Sequence, residues 1–290
     1  VGVDLAQHLR RLAWATLLAN GLLVVTGGAV RLTGSGLGCP TWPRCTDESF
    51  TPHGEMNINS AIEFGNRMLT FVLVAIAVAT FVAAVQKAKQ TGSTSLRTLA
   101  LILALGIPAQ AVIGGITVLT DLNPWVVSFH LLCSLAMISL AVAFLRQSDA
   151  PLPAATWTGP VRALSWAAYG TLWAVLYVGT VVTGSGPHAG DEDAPRNGLD
   201  PLQLSQLHAD LVFLFVGLTV GLWFLLIATR ARPEATRAVR LLLIVAVAQG
   251  AIGFVQYFTD LPVVLVGFHM LGAAVMMATM TWTVLATREA

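Results

Sequence analysis

The sequence predicts an all-α integral membrane protein of eight transmembrane helices, set out as two tandem pseudo-symmetric four-helix bundles. Three observations carry that reading. Composition is the first: 56% of the 290 residues are hydrophobic and 11% charged, with a mean hydropathy of +0.74, leaving too little polar surface to cover a soluble globule of this length. The second is the length of the apolar runs. Eight of them, at about 11–33, 60–86, 97–120, 126–146, 161–184, 204–229, 238–258 and 262–287, each have the ~20 residues that span a bilayer as a helix. Backbone polar groups must be satisfied within the segment in lipid, so the runs are helices. The third is an internal match. Gln110 to His130 reads QAVIGGITVLTDLNPWVVSFH and Gln249 to His269 reads QGAIGFVQYFTDLPVVLVGFH. Gln, Ile-Gly, Thr-Asp-Leu and Phe-His recur at identical offsets, which predicts two related halves, 1–150 and 151–290.

Charge placement orients the helices. Arg10, Arg11, Lys87, Lys89, Arg97, Arg146, Arg162, Arg230, Arg232, Arg237, Arg240 and Arg288 fall at the amino end and in every second connection, and only Arg31, Arg44, Arg67 and Arg196 lie on the other face. The positive-inside bias puts both termini in the cytoplasm of a multi-pass cell-membrane protein. The first apolar run is too long for a cleaved signal peptide and stays as helix one. A net charge of +1, with no basic patch interleaved with aromatics, gives no sign of a nucleic-acid partner.

Helix one ends in Val30-Arg-Leu-Thr-Gly-Ser-Gly36 and helix five in Val181-Val-Thr-Gly-Ser-Gly186. Each is a helix stop that uses glycine, and the recurrence extends the match to whole four-helix halves. The following loop, Cys39-Pro-Thr-Trp-Pro-Arg-Cys45, lies on the outer, oxidising face, where two cysteines at short spacing are expected to be bridged. The bridge reads either as a structural staple or as a redox pair. The corresponding loop of the second half, Pro187 to Gln203, is acidic and has no cysteine. Cys133 inside helix four reads as a small core residue.

Helix two opens Asn59-Ser-Ala-Ile-Glu63-Phe-Gly-Asn66-Arg67. Ser60 and Glu63 fit a capping box, with Arg67 one turn on to neutralise the acid. Alternatively, ionisable groups at the mouth of an apolar span mark a functional site. Helix six supplies the counterpart: aligned on Phe71 and Phe213, His208 stands where helix two has Asn66, and Ser205 where it has Glu63. Helices two, four, six and eight all begin at the outer face, so His130, His208 and His269 fall in one layer, roughly 6–11 Å below the helix starts.

One histidine there reads as a satisfied core residue. Two on corresponding helices of the second half read as a ligand pair, because neutral imidazole is a common metal ligand and costs less to bury when coordinated. Zinc or copper would want further Cys, His or carboxylate ligands. The apolar surroundings suit a flat macrocycle, so haem held by His208 and His269 is the expectation. The first half, with His130, an amide at Asn66 and Glu63 nearby, has one firm ligand, an open position and an acid–base group. Chemistry is expected there and electron transfer in the second half.

At these residues the chain resembles haem A synthase. The resemblance rests on the matching halves, the Cys39–Cys45 loop, Glu63-Phe-Gly-Asn-Arg67 and histidines 130, 208 and 269. It covers essentially the whole chain. Members of that family oxidise a methyl group on the haem O porphyrin to a formyl group, making haem A for terminal oxidases. The resemblance implies Glu63 as catalytic carboxylate, His208 and His269 as ligands of a haem b cofactor, and His130, with Asn66 and Arg67, as binding haem O. Besides haem O and the lipid bilayer, it implies as partners the enzyme that makes haem O and an electron acceptor.

Asn66 departs from the family pattern, which has a histidine there. Either His130 alone holds the substrate iron, or a loop residue such as His53 or His188 reaches in, or Asn66 contacts a porphyrin substituent. We favour the first, with the apolar pocket supplying affinity at about 25 cal/mol per Å² of buried surface. A di-haem cytochrome that only transfers electrons is the alternative, yet it gives Glu63 no task. A transporter built on a repeat fits less well, because such repeats are commonly inverted and these run parallel.

Overall fold

The computed structural model describes residues 4–52, 57–149 and 159–289, and within them every regular element is helical. Eight helices are long and apolar enough to cross a membrane: α1 Leu9–Leu32, α2 Ile58–Thr91, α3 Thr94–Leu119, α4 Pro124–Asp149, α5 Gly159–Ser185, α6 Pro201–Ala228, α7 Pro233–Phe258 and α8 Val263–Ala286. Each covers one of the expected apolar runs. The largest difference is at α2, which continues past residue 86 to Thr91. Lys87, Lys89 and Gln90 end the apolar window but are good helix formers, and the helix stops only where Gly92 turns left-handed at φ 72°.

The start of α2 corrects one expectation. Asn57, not Ser60, is the cap: its Oδ1 accepts from the Ser60 amide at 2.7 Å. Ser60 is therefore already inside the first turn, and the Ser60–Glu63 capping box does not form. Glu63 turns instead toward the cysteine loop.

The chain separates into two compact units, Val1–Pro151 with Gly186–Asn197, and Leu152–Ser185 with Gly198–Ala290. In the first unit α1 packs on α2, α2 on α3, α3 on α4, and α4 closes back on α1, so α2 and α4 stand diagonally. Far from the cysteine loop its core is tight, with Leu9, Ala13, Ala83, Ala84, Leu96, Ala100, Met137, Ala141 and Phe144 in one cluster. The alanines let helix backbones approach closely, which is how helices pack without a solvent-driven force between them. The buried Thr16 and Thr80 hydroxyls pair at 3.0 Å between α1 and α2.

Residues 186–197, which follow α5 in sequence, belong to this first unit. The Gly36 amide donates to the Gly190 carbonyl at 2.8 Å, and Ala189 and Ala194 cover Leu122 in a small apolar cluster. His188 lies here; its carbonyl accepts from Arg31 Nε at 2.7 Å. His53 falls outside the described residues.

In the second unit the ring runs α5, α6, α7, α8 and back to α5, with α6 and α8 diagonal. Its tight core also lies toward one end, at Val161, Leu222, Leu226, Ala235 and Val239. The repeated Thr-Asp-Leu has a backbone explanation. Asp121 and Leu122 have φ 51° and 58°, and Asp260 and Leu261 both have φ 57°. Leu122 N–H returns to the Thr117 carbonyl at 2.8 Å and Leu261 N–H to that of Gln256 at 2.9 Å. Both are the six-to-one bond of a Schellman-type helix end, formed here by two successive left-handed non-glycine residues.

Candidate functional site

The cysteine loop of the first unit is fixed by one ion pair. Cys39 and Cys45 are disulfide-bonded and both buried. Glu63, buried in the second turn of α2, accepts from the Cys39 amide through Oε2 at 2.5 Å. Its Oε1 accepts from Arg67 Nη2 at 2.5 Å and Nε at 3.2 Å. The Arg67 guanidinium then fans across the loop, donating to the carbonyls of Cys39 at 2.9 Å, Thr41 at 3.0 Å and Arg44 at 3.1 Å. A planar guanidinium with a fixed fork of donors suits this task, and lysine could not copy it. One carboxylate and one arginine thus satisfy a loop that folds back onto the bundle.

Between the two cysteines, Trp42 packs on Gly115 of α3, where a methyl group would collide with the indole. The preceding residue, Gly114, faces His130: a methyl there would lie 3.4 Å from the ring Cε1. The cysteine loop and the histidine therefore flank adjacent faces of α3 at one level. His130 is in the second turn of α4; its Nδ1 is buried without a partner among the described residues. Its carbonyl receives Gln110 Nε2 at 3.3 Å, and the same nitrogen reaches Ser134 Oγ at 2.7 Å. Asn66, also on α2, is engaged by α1, its Oδ1 accepting from Thr26 Oγ1 at 2.7 Å.

The second unit brings two predicted ligands together. His208 on α6 and His269 on α8 have ring centroids 6.5 Å apart, with planes at 70°. Two imidazoles on opposite sides of one metal ion, each bonded at about 2 Å, have centroids roughly 6–6.5 Å apart. His208 Nδ1 is 3.0 Å from the Val175 carbonyl. A carbonyl only accepts, so Nδ1 carries the proton and Nε2 keeps its lone pair for a metal. At the level of the pair α6 has no buried residue before Phe215, α7 none after Ala246 and α8 none before Gly272, whereas α5 buries Val175, Leu176, Thr180 and Val181. Among the described residues no three His, Cys, Asp or Glu side chains converge as for a bare metal ion. Two imidazoles at this separation among apolar helices fit a porphyrin iron, since the macrocycle supplies the remaining donors.

Sequence reasoning missed four parts of this arrangement: Thr26, Trp42 on Gly115, the Val175 carbonyl and the Asn57 cap. Trp42 had a signal, as the one aromatic between the cysteines, and Asn57 had one as a preferred cap residue.

Residues 10–190 match the family model COX15-CtaA, cytochrome oxidase assembly protein. The chain is 30% identical over 158 residues to the heme A synthase of Geobacillus thermodenitrificans, covering 53% of this chain and 48% of that protein. It is 30% identical over 139 residues to the heme A synthase of Geobacillus kaustophilus, covering 46% and 42%. The aligned stretches span about half the length of these curated relatives. The family match includes the disulfide loop, Glu63, Asn66, Arg67 and His130 and stops before His208 and His269. With well over half of its length inside that match, the chain belongs to the COX15-CtaA family of cytochrome oxidase assembly proteins.

Proposed function

We propose that the protein is a haem A synthase, oxidising a methyl group of haem O to a formyl group. The first unit takes haem O as substrate, and the second holds a haem b cofactor. The observation that carries this reading is the asymmetry between the units: His208 and His269 with ring centroids 6.5 Å apart in one, and His130 with an amide at the matching position and a buried carboxylate in the other.

His208 and His269 would hold haem b, which would supply a one-electron relay when bound. Val175 orients His208 for that role through the Nδ1 contact. His130 is the protein ligand of the substrate iron. Glu63 is the catalytic carboxylate: Arg67 and the Cys39 amide fix its position, and Oε2, with one donor on it, keeps a lone pair with which to take a proton from the methyl group or to face a developing positive charge. Both effects are stronger in a site that excludes water. Arg67 also shapes the substrate side by anchoring the loop that carries Trp42. The arginine and lysine asymmetry supports cytoplasmic termini and an outward-facing cysteine loop. In that orientation the site opens toward the outer leaflet, and the haem O-producing enzyme and an electron acceptor are its partners. The matched Gln110–His130 and Gln249–His269 stretches support descent of the two halves from one duplicated unit.

The test is chromatography and mass spectrometry of haems extracted from the protein after expression in a host that makes haem O. Haem b together with haem O and its hydroxylated or formyl products is the expected result. Haem b alone, with haem O present and untouched in the membranes, would leave only an electron-transfer cytochrome.

A further inference from the structure

The two halves differ most tellingly at one matched position, where α6 carries His208 and α2 carries Asn66, while His269 and His130 correspond. His208 and His269 approach each other from the diagonal helices of their unit. Asn66 and His130 likewise stand on the diagonal pair, α2 and α4, of the first. What Asn66 can do there is set by α1. Thr26 Oγ1 lies 2.7 Å from Asn66 Oδ1, the usual length of an O–H···O bond and shorter than most N–H···O bonds. The competing acceptor for that hydroxyl, the Leu23 carbonyl, is at 3.3 Å. The hydroxyl proton therefore goes to Asn66, the amide oxygen is turned toward α1, and the NH₂ group is left to face away from α1. An amide NH₂ only donates. It offers iron no lone pair, so Asn66 cannot take the part that His208 takes.

We infer that Asn66, oriented by Thr26, is a hydrogen-bond donor on the side of the substrate haem opposite His130, where it holds a small ligand with an acceptor atom, such as water, instead of binding iron. The inference rests on the proposed haem reading and deepens it. It makes the substrate iron singly ligated by protein and assigns Thr26 as a positioning residue. A histidine at residue 66 would close that face; an amide keeps it open and polar.

Carbon monoxide is the probe, because a reduced haem with two histidine ligands does not take it up and the first-unit haem then reports alone. In the purified, haem-loaded, reduced protein, one haem is expected to bind carbon monoxide. Asn66→Leu raises the C–O stretching frequency, since loss of a donor to the ligand oxygen weakens back-donation from iron. Thr26→Val moves the frequency the same way, and Thr26→Ser leaves it at the wild-type value. Asn66→His abolishes carbon monoxide binding and turns a high-spin iron signal low-spin. Failure of wild type to bind carbon monoxide with both haems present by extraction would overturn the inference. So would an unchanged frequency in Asn66→Leu, or full binding in Asn66→His. Haem extraction from the same samples separates this from failure of the parent reading: a protein holding haem b but no haem O or its products removes both.

Discussion

Glu63 holds the backbone amide of Cys39 and the guanidinium of Arg67 at once, each at 2.5 Å. The carboxylate is therefore both the anchor of the disulfide loop and the acid–base group nearest the proposed chemistry, and substitutions must separate the two. Glu63→Ala leaves the Cys39 N–H without its acceptor and the Arg67 guanidinium without its counter-charge in a largely buried setting, a loss of about 3–5 kcal/mol. Its unfolding temperature in detergent should fall and formyl product should vanish. Glu63→Gln keeps the side-chain volume and one acceptor, so about 1–3 kcal/mol is lost to the donor left unpaired. It should retain both haems by extraction and still make no formyl product. Full activity in Glu63→Gln would leave the residue a purely structural role.

Arg67 bonds three loop carbonyls besides Glu63. Arg67→Lys keeps the charge but reaches fewer of them. With a net ~1–1.5 kcal/mol per hydrogen bond lost, the loop should open on the order of ten times more often. The rate at which a mild thiol reduces Cys39–Cys45, followed by alkylation and mass spectrometry, should rise accordingly. An unchanged rate would mean that the loop is held by Trp42 and the helices alone.

How much of this was legible in the sequence depends on the range of the interaction. The eight helices could be read because twenty-residue apolar windows dominate everything local. The His208–His269 approach could be read because equal depth on corresponding helices is a matter of counting. The cysteine bridge followed from spacing and compartment. Glu63 and its pairing with Arg67 one turn on are legible as a local spacing, but the capping box is not formed, because the Cys39 amide that takes the other oxygen is brought over only by the path of the loop. Thr26 was invisible, since a threonine in an apolar helix ordinarily bonds back to its own turn, and only the packing of α1 on α2 turns it to Asn66. That residues 186–197 would join the first unit through Gly36 and Leu122 could not be anticipated from a chain order that places them after α5.

In the second unit the two histidines have unequal room. A methyl group on Gly179 would lie 3.0 Å from His208 Cε1, whereas one on Gly253 would lie 3.6 Å from His269 Cε1, an ordinary contact. Gly179→Ala should therefore push the His208 ring off its contact with Val175, lowering bound haem b and broadening its low-spin signal, while Gly253→Ala should leave the spectrum near wild type. His208→Ala and His269→Ala set the reference, each losing that haem. Equal behaviour of the two glycine variants would show that the ring positions are set by the metal and not by the helix packing.

The adjacent glycines of α3 separate the loop from the histidine in the same manner. A side chain on Gly115 would enter the Trp42 indole, and the ring cannot move aside without lifting the loop that Arg67 and Glu63 hold; one on Gly114 would meet the His130 ring at 3.4–3.5 Å, a contact that a small shift absorbs. Overpacking of this kind costs about 1–3 kcal/mol. Gly115→Ala should expose the loop to proteolysis and to thiol reduction and should lower formyl product several-fold, and Gly114→Ala should do neither. If Gly115→Ala loosens the loop while product formation is unchanged, then Trp42 belongs to the lid of the unit and not to the wall of its substrate site; if both fall together, the seating of the indole on α3 is part of what holds the porphyrin edge against Glu63.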